Sequence, residues 1–200
     1  MRRMNTRLGC LLFLSVVSPA FLSLAQQAAQ TQPGDFTIRN IQQQLINGPV
    51  MVEAAGQGIS GSAYQKKWLR IETQYDSKPA WADDLTFKYY VLLRRGRDAK
   101  LFTGEVTYVN VARGSGHISG VFVHPNMVDR YGQGRVEAVA VEVRHQGRLM
   151  DSASDQQGGP HWWEQFTPVP GYLLTPQQTP WSINAYLRYE QIKPLAARID

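Results

Sequence analysis

Apolar and polar residues alternate along most of this chain. In "LTFKYYVLL", Leu85, Phe87, Tyr89, Val91 and Leu93 share one face, while Thr86, Lys88, Tyr90 and Leu92 share the other. That period of two marks a half-buried strand. "WLRIETQY" repeats it, with Leu69, Ile71, Thr73 and Tyr75 opposed to Trp68, Arg70, Glu72 and Gln74. The pattern continues through 101–111, 117–124 and 135–146, segments rich in β-branched and aromatic residues. The turn signals "RRGRDAK", "ARGSG", "RYGQG" and "QGR" punctuate them. From Ala138 to Val141 both faces are apolar, which predicts a central strand, and "RHQGRLM" predicts its hairpin partner near Leu149. "FTIRNIQQQLI" predicts a less regular first strand, because its glutamines break the alternation. Only "PNMVDRYG" reads as helical, one turn crossing between sheets. Strand after strand without intervening amphipathic helices predicts an all-β fold, an antiparallel sandwich or barrel.

Beyond Asp151 the composition shifts to Pro, Gly, Ser and Gln with aromatics between them. This predicts a loop-rich C-terminal extension closing in "WSINAYLRYEQI", which reads as a final strand.

The N-terminus changes the picture of charge and compartment. "MRRMNTR" carries three arginines and no acid, an apolar run follows, and Ser23-Leu24-Ala25 supplies small residues where a signal peptidase cuts. Residues 1–25 are therefore expected to be a signal peptide, leaving no retained membrane span. Cys10 opens the apolar run instead of ending it, which argues against lipidation, and Leu14 stands where a prepilin cut after Gly9 would place its Glu. Loss of Arg2, Arg3 and Arg7 leaves eighteen cations against sixteen acids, so +5 becomes +2. A charge that small gives little support to nucleic-acid binding. Cleavage also removes the only cysteine, so disulfides and Cys chemistry are not expected. The remaining chain, about 165 to 175 residues, is enough for one core.

Candidate chemistry is sparse. His117, His124, His145 and His161 show no ligand spacing, so neither metal nor cofactor is expected. Asp151, Ser152, Ser154 and Asp155 resemble a cation loop until Ala153 breaks the spacing. "GISGS" and "GSGHISG" lack the strand-to-helix context of a serine nucleophile. Glu164 with Asp151 or Asp155 is the candidate pair for glycoside hydrolysis, with no second feature to support it; no enzyme is expected. Arg94, Arg95 and Arg97 beside Lys100 suit an anionic contact or a solvated hairpin tip. The aromatics Trp162, Trp163, Tyr172 and Trp181 are candidate partner or ligand contacts. Trp162 and Trp163, as neighbours in a strand, would point to opposite faces, one to the core and one to the surface. A carbohydrate-binding module using these two tryptophans is the alternative reading.

The order "KWLRIETQYDSKPAWADDLTFKYYVLL", "LFTGEVTYVNVARGSGHISGVFVHPNMVDRYG", "VEAVAVEVRHQGRLMDSAS" and "TPWSINAYLRYE" resembles the small exported immunoglobulin-like proteins encoded beside type IV pilus genes in Akkermansia-type bacteria. The resemblance spans roughly residues 35–192 and rests on strand order and Tyr, Pro and Trp landmarks. It implies an antiparallel immunoglobulin-like β-sandwich with protein partners in a pilus or envelope assembly, and no catalysis. Location would be periplasmic, outer-membrane-associated or extracellular. The expected organisation is a signal peptide (1–25), a flexible lead-in (26–34), the sandwich (35–192) and a tail (193–200).

Overall fold

The computed structural model describes residues 31–48, 67–133, 135–155 and 161–194; the expected signal peptide lies outside them. Among the described residues, nine strands form two sheets: β1 (Phe36–Asn47), β2 (Lys67–Ala82), β3 (Leu85–Arg95), β4 (Asp98–Tyr108), β5 (Val111–Val123), β6 (Ala138–His145), β7 (Arg148–Ser154), β8 (Pro168–Pro170) and β9 (Leu173–Leu174). Helix α1 (Pro125–Gly132) carries the chain from β5 to β6, and α2 (Ser182–Arg188) follows β9. The first sheet has the order β1-β2-β5-β9 and the second β7-β6-β3-β4-β8. All pairings are antiparallel except β4 with β8. The fold is an all-β sandwich. A constant-type immunoglobulin domain keeps its fourth strand with the first, second and fifth; here β4 lies beside β3 in the other sheet.

The alternation seen in the sequence sets the core. Leu85, Phe87, Tyr89, Val91 and Leu93 are fully buried, facing Ile71, Tyr75 and Val121 of the first sheet within one cluster. Turn chemistry fixes the register. Gly96 takes φ 61° in the two-residue β3–β4 turn, and Gln146 and Gly147 both take positive φ between β6 and β7, as a type I′ hairpin requires. The crossings between sheets at Asp84 and Asn110 also use left-handed residues. Helix α1 starts where Pro125 fits the first turn and the His124 ring accepts a hydrogen bond from the Asn126 N–H. Residues 31–35, which span the join between the expected lead-in and the sandwich, form a turn, with Asp35 N–H bonded to the Gln32 carbonyl and Thr31 Oγ1 2.7 Å from His145 Nδ1.

The C-terminal extension wraps the sandwich. Residues 162–165 form a 3-10 turn over the outer face of the second sheet. β8 then lines β4, β9 crosses to line β5, and α2 covers the outer face of the first sheet. Gly104 permits the crossing, because a Cβ there would sit 2.6 Å from Leu173 Cβ. Gly104→Ala should therefore destabilise the protein by about 1–3 kcal/mol, read from urea melts; an unchanged midpoint would show that Leu173 is not pressed against this strand.

Candidate functional site

Trp162 and Trp163 do not divide between core and surface. Both are buried, at 4% and 5% exposure. Within the loop-rich extension these residues form a 3-10 turn and not a strand, so successive side chains are about 120° apart and both can face the same sheet. Trp163 stacks on Tyr90 at 5.5 Å and donates Nε1–H to Glu142, while Trp162 donates Nε1–H to Ser154 Oγ at 2.7 Å. With Leu92, Leu101, Ala138 and Ala140 they form a second core. This explains why the central strand is apolar on both faces. Neither ring offers a face to a sugar, so the carbohydrate reading loses the two residues on which it was built.

The acids of the candidate loops have structural uses. Asp151 accepts from Ile38 N–H and Asp155 from Val139 N–H, each at 2.7 Å, so both hold neighbouring backbone. Glu164 faces solvent beside His161. The other histidines are dispersed: His117 meets Glu190 at 2.7 Å, His124 caps α1, and His145 meets Thr31.

Trp181 opens the region that the structure does assemble. The closing segment, expected as a strand, is helix α2, and Trp181 caps it with its ring stacked on Phe122 at 5.4 Å and edge-on to Trp68. Beneath the helix, Glu72 is 5% exposed despite its place on the outer face of β2. Arg188 binds both its oxygens at 2.6 Å, Tyr189 OH donates at 2.6 Å, and Arg70 stands 3.6 Å away. Burial alone would raise the carboxyl's pKa. The hydrogen bonds from Arg188 and Tyr189, with the charges of Arg70 and Arg188, outweigh it and hold Glu72 below the usual carboxylate range. The Tyr189 ring lies against Gly120, where a Cβ would come within 2.9 Å of it.

This clasp fixes α2 with Ala185 inward and Ile183, Tyr186 and Leu187 outward, at 82%, 75% and 89% exposure. Beside the helix lies a cleft of about 410 Å³ whose apolar walls include Ile46, Phe122, Pro176 and Trp181 and whose polar side includes Arg70 and Arg188. Sequence reasoning missed the outward apolar residues of α2 because it assigned this segment to a strand.

The remaining candidates lie elsewhere on the molecule. Tyr172 is half exposed and packs edge-on against Phe102. Arg94 and Arg95 end β3 and Arg97 sits in the hairpin turn, all exposed as expected of a charged tip.

Residues 27–195 match a protein-family model. The chain also resembles a crystal structure of a protein from Akkermansia muciniphila, with a TM-score of 0.67 and 25% identity over 80% of this chain and 93% of that one. The source of that structure agrees with the Akkermansia-type resemblance carried by the sequence. No curated protein matches the chain.

Proposed function

The chain belongs to the family whose model spans residues 27–195, and we propose that it is an exported, non-enzymatic, immunoglobulin-like protein that binds other proteins of a type IV pilus or envelope assembly. The observation that carries this reading is the outward face of α2. Positions i, i+3 and i+4 of a helix lie side by side, so Ile183, Tyr186 and Leu187 form one apolar stripe, directed away from the sheet the helix covers. A surface helix ordinarily turns such a stripe inward. This one is held by Arg188, Tyr189 and Ala185. Its largest apolar side chains are left facing out beside an aromatic-walled cleft, the composition of a protein-docking surface. The association with pili draws its support from the sequence resemblance, and residues 1–25 are the export signal in this reading.

The sheet edges are less suited to strand addition. β8 and β9 cover one side of the sandwich, and on the other the Ile38 N–H is taken by Asp151.

The test is capture of pilus and envelope proteins by the native protein and by an Ile183→Asp/Leu187→Asp variant. The variant should lose at least about tenfold in capture, while its melting changes by no more than about 0.5 kcal/mol, as for other surface substitutions. Undiminished capture by the variant would move the docking site elsewhere. Absence of any pilus or envelope partner, with normal piliation in a deletion strain, would overturn the function itself.

A further inference from the structure

The fold gathers a cationic end that no single segment of the sequence reveals. Arg94, Arg95, Arg97 and Lys100 belong to the β3–β4 hairpin, and Arg130 and Arg135 to α1 and the turn after it. The two groups are interlocked. Arg95 Nη1 donates to the Arg130 carbonyl at 3.3 Å, Arg94 pairs with Glu137, and the Tyr131 ring lies 4.9 Å from both Lys100 and Arg130. Between them is a hollow of about 420 Å³ bounded by Arg94, Gly96, Gln133, Arg135, Val136 and Glu137. All six cations are exposed. Against them stand Glu137, Asp98 and Asp129, so six cations and three acids leave +3 on this end. The whole of residues 26–200 carries only +2, so the remainder of that span is slightly acidic.

We propose that this end docks on a membrane surface through the phosphates of anionic lipid headgroups. Guanidinium groups, five of the six cations here, match phosphate oxygens in a fork, and clustered cations near an anionic leaflet add their attractions. An acidic protein is the less suitable occupant. A protein interface is apolar at its centre with charges at its rim. Here, none of the strongly exposed large apolar residues among those described belongs to the hairpin turn or to α1. The inference is independent of the proposed α2 docking surface, which uses other residues and an apolar contact.

The experiment is vesicle sedimentation with the protein recovered from its producing cells, its N-terminus defined by mass spectrometry. Vesicles of phosphatidylcholine alone are compared with vesicles holding about 30% phosphatidylglycerol. Binding is expected only to the anionic vesicles and should weaken steeply between about 20 and 200 mM salt. Arg95→Gln/Arg97→Gln/Arg135→Gln should weaken it on the order of a hundredfold. A matched triple at the opposite end, Arg39→Gln/Arg113→Gln/Arg148→Gln, should leave it within about threefold. Equal binding to both vesicle types, equal losses in the two triples, or retention of an acidic protein with no vesicle binding would each overturn the proposal.

Discussion

Trp163→Ala is expected to destabilise the protein by about 3–5 kcal/mol, the range for truncating a buried aromatic, and to lower its melting temperature by roughly 10 °C. Two losses combine. The ring stacked on Tyr90 disappears from a core that has few other large members, and Glu142, itself buried, loses the indole donor while keeping Arg144. Trp163→Phe separates them, since it keeps most of the ring contact and removes the donor. It should cost about 1–2 kcal/mol, mainly the missing hydrogen bond and unfilled volume. Urea melts of the three proteins provide the measurement. A wild-type midpoint for Trp163→Ala would mean that the turn does not seal the outer face of the second sheet and that the indole is available for another use. In the sealed arrangement a glycan panel leaves tryptophan fluorescence unchanged at this position.

The sandwich was legible because its signal is local. The β3 alternation names its five core residues directly, and each is buried as the pattern requires. The outer faces were harder to read, because what covers them is distant in the chain. Leu92 and Ala140 are apolar on the side away from the main core, a pattern that fits a central strand, but only the fold identifies Trp162 and Trp163 as the cover. "WSINAYLRYEQI" carries both periods at once: Trp181, Ile183, Ala185 and Leu187 alternate like a strand, while Trp181, Ala185 and Arg188 follow a helix. The helix prevails through a contact between Arg188 and Glu72, 116 residues apart. A charged Glu on a strand's outer face gives no hint that it will be buried. The basic end was half visible for the same reason: Arg94, Arg95 and Arg97 stand together in sequence, and Arg130 and Arg135 join them only when α1 packs its Gly132 against Leu93.

That clasp makes the second large effect dependent on pH. Arg188→Ala should destabilise the protein at neutral pH by about 2–3 kcal/mol, less than the 3–5 typical of a fully buried pair, because the guanidinium is partly exposed and Arg70 remains near the carboxylate. The sign follows from the direction of the Glu72 shift. Its folded pKa lies below its unfolded value, so the stabilisation is fully present above the unfolded pKa, about 4.3, and is lost as the pH falls through the folded value. The gap between wild type and Arg188→Ala should thus be widest near neutrality and shrink in the acid range, where Glu72 becomes protonated in both. Urea melts from pH 7 down to about pH 3 measure the gap, and limited proteolysis in α2 reports whether the helix itself is released. A gap independent of pH would assign the loss to packing of the Arg188 stem against the sheet. A gap that closes with acid would identify the Glu72 carboxylate as the group that holds α2, and with it the outward apolar stripe, in place.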